Sequence, residues 1–282
     1  MDICLFLCYN DYMDLRVRNY IKKDEIIINC FDTWPNSLKS LMCENYELIN
    51  NFRKREKELL SLEERYKHEN NTYEIFSLIN EFYNTFNELK EKFYNILLSE
   101  NKPLICFHAS RYTNKEKDRI RMYGLKTSSK DNLIDRIENL LKDGYIDEVE
   151  SQFLKKHNLL IKQDNMRENQ LWVTVGNVNI AYCSYSGLFN FYDNYGGEIQ
   201  YFCIENHSLG EKLKKLSKPY LVVLKLCPTQ IVECGLRILV DNIFNRINFE
   251  NSEQVEYEFF TTEPNVLIED IIEIDQNSKI II

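Results

Sequence analysis

The chain has 282 residues, 44% of them hydrophobic and 13% aromatic, which is enough for a packed core in one large or two modest domains. Its formal net charge is −9, from 35 basic and 44 acidic side chains, so the molecule as a whole should be repelled by nucleic-acid backbones. Nine scattered cysteines, and no apolar run near the roughly 18 residues that span a bilayer, disfavour a disulfide-rich secreted domain and an integral membrane protein.

The first 40 residues carry one short apolar stretch and one strand-like segment. Residues 3–8 are apolar, but they are too few and too close to acidic residues to form a cleaved secretory signal. We therefore expect a cytoplasmic protein, with export by a route without a cleaved signal left open. Residues 25–31 are rich in isoleucine and predict a strand, and residues 34–37 predict a turn after it.

A helical hairpin is predicted over about residues 45–98. From residue 45 to residue 101 there is neither proline nor glycine. Apolar side chains from Ile75 to Ile96 alternate in steps of four and three, the spacing of a helix that packs on another helix. The predicted elements are a charged helix at 45–67, a turn at 69–71 and a second helix at 72–98.

The sequence Asn101, Lys102, Pro103 marks a boundary, because a residue before proline is pushed out of helical geometry. We therefore divide the chain into an N-terminal mixed or helical domain, 1–101, and a C-terminal domain, 102–282. Beyond the boundary, short apolar runs alternate with amphipathic stretches, which predicts an α+β fold. Strands are predicted at 104–107, 171–175, 199–204, 220–226, 255–261 and 266–274, and helices at 113–123, 131–141, 146–156, 178–193 and 209–216.

A histidine and a hydroxyl follow the first of these strands. Residues 107–111 read FHASR, so His108 and Ser110 are two residues apart and lie on the same side of an extended chain. About ten residues later, residues 120–125 read IRMYGL, an amphipathic helix end with a glycine suited to a left-handed cap. A lone histidine after an apolar strand is more often structural than functional, and both interpretations stay open at this point.

Two glutamates occur in an otherwise apolar segment near the C-terminus. Residues 255–260 read VEYEFF, which predicts a strand with Glu256 and Glu258 on the same face. Like charges side by side on a strand are destabilising unless solvent or a functional cleft receives them. Taken alone, the pattern also fits the exposed edge of an ordinary alternating strand.

The strand with the HAS motif, the short helix that ends in GL and the later EYE strand together resemble the catalytic domain of ADP-ribosyltransferases of the His-Tyr-Glu type, the fold of diphtheria toxin and the poly(ADP-ribose) polymerases. The resemblance covers residues 103–282 and departs from the family in a long insert before Trp172. It implies a split β-sheet, NAD as the substrate, no metal, and transfer of ADP-ribose to a protein or nucleic acid. The residues that it implies are His108, Ser110, Arg111 and Trp172 in NAD binding, Tyr182 or Tyr185 stacked on nicotinamide, Glu258 beside the reacting ribose and Glu256 orienting the acceptor.

The implied reaction needs few groups. Cleavage of the bond between nicotinamide and ribose passes through an oxocarbenium-like state, which a carboxylate near the ribose stabilises. Two alternatives remain: an NAD glycohydrolase that uses the same residues with water as the acceptor, and a non-catalytic interaction module on a degenerate scaffold. The sequence has no CxxC, HExxH or glycine-rich phosphate-loop motif, so we expect neither a metal site nor a nucleotide loop of those kinds.

Two further features concern partners, and the resemblance suggests a toxin, an effector or a defence factor as the setting. Residues 111–136 contain eight basic and four acidic side chains, which fits either a solvated helix face or a surface for a diphosphate or a nucleic-acid strand. The hairpin is charged on its outer face and separated from the second domain by Lys102 and Pro103. We therefore expect it to recognise the acceptor or a protein partner and to supply no catalytic residue.

Overall fold

Helices and two antiparallel sheets make up the part of the chain that the structure describes. The structure is a computed structural model, and it describes residues 25, 26, 28, 31–68, 80–157, 168–176, 195, 207–246 and 256–273. Within those residues there are eight α-helices, a five-stranded sheet and a two-stranded sheet, a mixed α and β architecture as predicted. None of the described helices is long and apolar enough to span a lipid bilayer.

Three of the helices precede the first strand, and the other five lie between strands. The helices are α1 (Asn36–Glu44), α2 (Tyr46–His68), α3 (Tyr83–Glu100), α4 (Asn114–Tyr123), α5 (Lys130–Lys142), α6 (Glu148–His157), α7 (His207–Leu216) and α8 (Glu233–Arg246). The strands are β1 (Leu104–Tyr112), β2 (Leu125–Lys126), β3 (Leu171–Gly176), β4 (Lys218–Leu226), β5 (Glu256–Thr261), β6 (Asn265–Val266) and β7 (Ile268–Glu273).

The five-stranded sheet has the order β5-β3-β1-β4-β7, and every neighbouring pair of strands is antiparallel. β1 pairs with β4 along all nine of its residues, and β3 pairs with β5 along all six of its residues. Both faces of β1 and β4 are buried. Burial on both faces explains why the middle of β4 is a continuous apolar run rather than an alternating one.

The predicted hairpin packs on this sheet and shares its core. α2 and α3 meet through the stacked rings of Phe52 and Phe86, whose centroids are 3.8 Å apart. α3 also packs on α8, where Phe244 meets Phe86 and Phe93 edge to face with centroids 5.6 and 5.4 Å away. The same buried cluster includes Leu104 of β1. One hydrophobic core therefore runs from the hairpin, before residue 101, to the sheet after it.

Most of the predicted elements that fall on described residues are confirmed. The helices predicted at 45–67, 113–123, 131–141, 146–156 and 209–216 correspond to α2, α4, α5, α6 and α7, and the strands predicted at 171–175, 220–226 and 255–261 correspond to β3, β4 and β5. The turn predicted at 69–71, the helix predicted at 178–193 and the strand predicted at 199–204 lie outside the described residues.

The second helix of the hairpin is helical only from a later residue than the pattern predicts. The prediction was 72–98, whereas α3 begins at Tyr83 and residues 80–82 are not helical; residues 72–79 lie outside the described part. The Asn80 side chain accepts a hydrogen bond from the Phe82 N–H and donates one to the Phe52 carbonyl oxygen. Such side-chain bonds to the backbone compete with helical bonding, which accounts for the non-helical residues before α3.

The strand predicted at 25–31 is wrong for the residues there that the structure describes. Ile26 forms a single parallel bridge with Leu104, and Ile28 lies in a turn. A 3₁₀ turn then occupies Phe31–Thr33. Ile26 and Ile28 are buried against the core, so their apolar character reflects burial rather than a strand.

Three other elements differ from the prediction. The turn predicted at 34–37 is shorter, because α1 begins within it. The strand predicted at 104–107 continues to Tyr112, because β4 pairs with it along its full length. The strand predicted at 266–274 is divided into β6 and β7 at Leu267, whose side chain is 74% exposed. Helix α8 was not predicted at all.

The small sheet fixes the end of α4. β2 pairs with β6 through Leu125 opposite Val266, and Gly124 just before it has φ +83° and ψ −176°. That region of backbone space is essentially confined to glycine. A Cβ atom at Gly124 would lie 2.4 Å from the carbonyl oxygen of Val266. The glycine therefore allows the helix end and β6 to approach each other.

We expect Gly124→Ala to lower the free energy of unfolding by about 3 kcal/mol or more, because the added methyl group meets backbone as well as a strained φ. Urea unfolding of the purified variant measures the loss. Gly144→Ala is the matched control, since Gly144 has φ +79° with nothing within 4 Å of its Cβ position. It should lose only the strain of about 1–2 kcal/mol, and equal losses in the two variants would contradict the proposed clash.

Candidate functional site

Among the described residues, β1 and β3 are joined by a single residue pair; the stretch beside that pair, which has no further pairs, is called the opening, and His108 lies there. These two strands pair at Phe107 and Thr174, and no further pair joins them among the described residues. Beyond that pair, the Nδ1 atom of His108 is 2.8 Å from the Trp172 carbonyl oxygen. A carbonyl only accepts hydrogen bonds, so Nδ1 carries the proton in the neutral ring and Nε2 is an acceptor. His108 thus bridges two strands and keeps one ring nitrogen for another donor.

The histidine is held in its neutral form. Burial lowers the pKa of His108 below its ordinary value of 6.5, the hydrogen bond to Trp172 opposes that effect, and the positive charge of Arg136 adds to it. At pH 7 the ring is therefore uncharged. A neutral ring with Nε2 free to accept suits a hydroxyl donor, such as a ribose hydroxyl, better than an anion.

Ser110 and Tyr112 continue the same face of β1 as His108, because alternate residues of a strand share a face. Both side chains are buried. Burial raises the pKa of Tyr112 to about 12, although Arg136 opposes the effect. Ser110 was predicted to bind NAD together with His108, and the structure confirms that the two lie in one row on one strand.

Arg111 lies on the opposite face of β1 and has protein partners. Its guanidinium donates to the Lys214 carbonyl oxygen at 3.0 Å, and to the carbonyl oxygen and hydroxyl of Ser217 at 2.8 and 3.2 Å. These acceptors stand at the C-terminal end of α7, where helix carbonyl groups lack helical partners. We expected Arg111 to bind NAD with His108, but the geometry assigns it to holding α7 against the sheet.

A buried ion pair lies beside the histidine face. Glu116 of α4 and Arg136 of α5 are joined by a bond of 2.6 Å between Oε1 and Nε. The Tyr195 hydroxyl donates to the same oxygen at 2.5 Å. The other Glu116 oxygen accepts from the Thr113 N–H at 2.8 Å and so caps α4. This carboxylate therefore ties together two helices, the end of β1 and Tyr195.

The guanidinium of Arg136 lies against two aromatic rings. Its guanidinium carbon lies 5.3 Å from the ring centroid of Tyr112 and 4.9 Å from that of Tyr195. Burial works against the charged guanidinium, but Glu116 outweighs burial and the pKa of Arg136 is raised. Arg136 is one of the eight basic residues of 111–136 that the sequence offered for a diphosphate, but neither it nor Glu116 was singled out, because a cation in a mixed-charge helix is usually solvated.

The strand β3 carries the third part of the site. The Thr174 hydroxyl donates to the Phe107 carbonyl oxygen at 3.4 Å, across the same opening that His108 bridges. The half-buried Trp172 packs its ring on Phe260 with centroids 5.1 Å apart, and its indole N–H donates to the Gln170 side chain. Trp172, predicted as an NAD-binding residue, thus contributes its backbone to holding His108.

The glutamate strand is the next neighbour of β3. Thr174 pairs with Glu258, and Gly176 pairs with Glu256. Because Thr174 also pairs with Phe107, the backbone at Glu258 is two strands from the residue that precedes His108. Two interstrand spacings are roughly 10 Å. Residues about 150 positions apart in the sequence are therefore two strands apart in one sheet. Direct cross-strand partners share a face, so the register puts position 258 on the face of Phe107 and Arg111, opposite to the face of His108.

The remaining predictions concern two tyrosines, a metal site and the basic segment 111–136. Tyr182 and Tyr185 lie outside the described residues. Among the residues that are described, no three His, Cys, Asp or Glu side chains are arranged to hold a metal ion. Of the eight basic residues in 111–136, the following five form ion pairs with carboxylates: Lys115, Lys117, Arg119, Lys126 and Arg136. That segment is therefore largely neutralised, which disfavours a nucleic-acid strand along it.

Comparison with known proteins adds no family. No protein-family model matches the chain, and no curated protein or solved structure matches it with significance. The candidate site is therefore defined by its own residues: the His108 face of β1, the opening to β3, and the neighbouring strand β5.

Proposed function

We propose that the protein is an NAD-dependent mono-ADP-ribosyltransferase that modifies a macromolecular acceptor. The observation that carries the proposal is the strand order, in which β3 separates the strand of His108 from the strand of Glu258. These are the two strands whose motifs resemble the ADP-ribosyltransferase domain. Their closeness in one sheet, two strands apart, supports the proposal.

In this proposal His108 Nε2 accepts a hydrogen bond from a ribose hydroxyl of NAD. Glu258 stabilises the oxocarbenium-like state that forms as nicotinamide leaves, and Glu256 orients the acceptor. Tyr182 or Tyr185 stacks on the nicotinamide ring, for which an aromatic face is suited. The backbones of β1 and β5 are roughly 10 Å apart, so the proposed NAD contacts come from two neighbouring parts of one sheet.

Incubation of the purified protein with labelled NAD, with and without cell lysate, tests the proposal. Label on a macromolecule supports transfer, and its loss on treatment with protease or with nuclease distinguishes a protein from a nucleic-acid acceptor. Free ADP-ribose without macromolecular label would support the alternative NAD glycohydrolase, in which water is the acceptor. Intact NAD under all conditions would contradict both enzymes and leave the non-catalytic interaction module.

The recognition role expected of the hairpin is limited by its packing. Phe52, Phe86 and Phe93 on its inner side are buried in the shared core. We therefore propose that a partner or acceptor would contact the outer, charged face of α2, where Arg55 pairs with Glu81 and Glu58 near the surface.

We expect His108→Ala to weaken NAD binding by about 1–3 kcal/mol, because the variant loses an acceptor for the ribose and a contact that fixes the opening. Isothermal titration with NAD measures the change. Thr174→Val is the matched control, since it also removes a side-chain bond across the β1–β3 opening but is given no contact with NAD. Equal losses in the two variants would indicate that His108 is only structural.

The pH dependence gives a second readout of the same prediction. The pKa of His108 is lowered, so protonation, which removes the Nε2 acceptor, begins only below the ordinary value of 6.5. NAD affinity of the wild-type protein should therefore hold between pH 8 and pH 7 and fall only at pH values below the ordinary histidine value of 6.5. The His108→Ala protein should not show this acid-dependent loss, and an identical loss in both would contradict the assignment.

A further inference from the structure

The buried ion pair between Glu116 and Arg136 has no part in the reaction described so far. Its two members differ in exposure: 23% of the Arg136 side chain is accessible, against 7% of the Glu116 side chain. The cation is therefore the member of the pair that solvent, or a ligand, can reach. Its guanidinium lies over the ring of Tyr112, which is four residues after His108 on the same face of β1.

We propose that Arg136 binds the diphosphate of the dinucleotide whose ribose His108 receives. The inference rests on the proposed function for the identity of the ligand as NAD. It adds a residue from the long insert that the resemblance to ADP-ribosyltransferases does not cover.

The way in which Arg136 is held supports this role. The ring centroids of Tyr112 and Tyr195 lie 5.3 and 4.9 Å from the guanidinium carbon, and Glu116 binds the Nε atom. Since Glu116 binds Nε, the other four N–H donors are on the Nη atoms. A planar fork of N–H donors fixed in one orientation is the arrangement that binds phosphate oxygens in pairs.

A count of donors shows that the guanidinium is not saturated by the described residues. Arginine has five N–H donors. The contacts of Arg136 within the described part of the chain use at most three of them: Nε to Glu116, Nη2 to the Arg111 carbonyl oxygen at a long 3.5 Å, and one N–H to the Tyr195 hydroxyl. At least two donors therefore have no partner among the described residues.

Position and charge agree with a diphosphate ligand. Four residues of extended strand separate Tyr112 from His108, which corresponds to roughly 13 Å between their backbones. The diphosphate of a dinucleotide is joined to the ribose through one methylene group, so a ribose at His108 brings phosphate oxygens towards Arg136. The charge of Arg136 acts on His108. The protein as a whole carries a net charge of −9, so a dianionic group needs a local cation.

Binding of ADP-ribose and of adenosine to wild-type protein and Arg136→Lys tests the inference. ADP-ribose contains the diphosphate and adenosine does not. Lysine keeps the charge but loses the paired donors, so we expect ADP-ribose to bind about 10- to 100-fold more weakly, whereas adenosine changes less than about twofold. Equal weakening of both ligands, no weakening of either, or no ADP-ribose binding by the wild-type protein would overturn the inference.

Two further variants separate binding from folding. Arg119→Lys is the matched control, because Arg119 also pairs with a buried carboxylate, that of Asp143, but is given no contact with the ligand. It should leave the affinity for both ligands unchanged. If Arg136→Lys does not fold, the double variant Glu116→Gln with Arg136→Gln removes both buried charges, and it should lose ADP-ribose binding selectively while its melting curve shows a cooperative transition.

The outcomes distinguish this inference from the proposed function. If ADP-ribose binds in an Arg136-dependent way but NAD is never cleaved, the transferase is wrong and the diphosphate site stands. If NAD is cleaved and Arg136→Lys has the wild-type KM for NAD, the diphosphate site is wrong and the transferase stands.

Discussion

Glu258→Gln is expected to lower the rate of NAD cleavage by about two to three orders of magnitude, since it removes a charge that acts mainly in the transition state. The amide keeps the size and shape of the side chain, so the affinity for NAD should stay within a few-fold of the wild-type value. Steady-state release of nicotinamide gives the rate, and titration with NAD gives the affinity. This pattern, a fall in kcat with a nearly unchanged Kd, is the signature expected of a group that stabilises the oxocarbenium-like state.

Two other glutamates make the result specific. Glu256→Gln should reduce transfer to the acceptor more than it reduces NAD hydrolysis, because the proposed role of Glu256 is to orient the acceptor. Glu273→Gln is the matched control on β7, at the opposite edge of the sheet, where Glu273 pairs with Lys218. It should retain wild-type cleavage. Wild-type turnover in Glu258→Gln, or a comparable loss in Glu273→Gln, would remove the basis for assigning β5 to the active site.

Local patterns were sufficient to predict much of the fold. Strand β5, helix α4 and the glycine at its end were predicted from residues close together in the sequence: the alternation in VEYEFF and the amphipathic segment IRMYGL with Gly124. The first helix of the hairpin could also be predicted, because a long stretch without proline or glycine leaves few alternatives to a helix. These elements could be predicted because the residues that signal them lie close together in the sequence.

What could not be predicted depends on distant partners. Helix α8 carries Gly235 near its start and buries Leu236, Leu239 and Phe244, so a helix breaker and a broad apolar face obscure its periodicity. The glycine is explained only by the fold, since a Cβ there would lie 3.2 Å from Phe259 of β5. Likewise, no residue near Arg111 in the sequence indicates that its side chain will bind carbonyl groups of α7, which lie more than 100 positions later.

In the candidate site, too, local motifs could be predicted from the sequence, whereas contacts between distant residues could not. The His108 and Glu258 motifs were visible because each lies in a short apolar strand, but their adjacency depends on β3, which comes from a third part of the chain. The Glu116–Arg136 pair was hidden for another reason. Its members are 20 residues apart in two helices of mixed charge, and only tertiary packing buries them.

A fragment that begins at Asn101 is expected not to fold, in contrast to the independent second domain suggested by the sequence. The fragment lacks α3, whose Phe86, Phe93 and Leu97 are at most 2% exposed in the shared core. Loss of each such side chain costs about 2–5 kcal/mol, against a total stability of about 5–15 kcal/mol for a typical protein. Circular dichroism and a thermal melt of the purified fragment measure the outcome. A cooperative melt together with NAD cleavage would contradict the prediction.

Single substitutions in α3 test, in the whole chain, whether the shared core depends on this helix. Phe93 lies between Trp34 and Phe244, with ring centroids 5.5 and 5.4 Å away. Phe93→Ala should therefore lower the free energy of unfolding by about 3–5 kcal/mol. Tyr83→Ala is the control from the same helix, since Tyr83 is 55% exposed, and it should change stability by less than about 0.5 kcal/mol. Similar small effects in both variants would mean that the hairpin does not brace the sheet, and would return it to the role of a separate recognition segment.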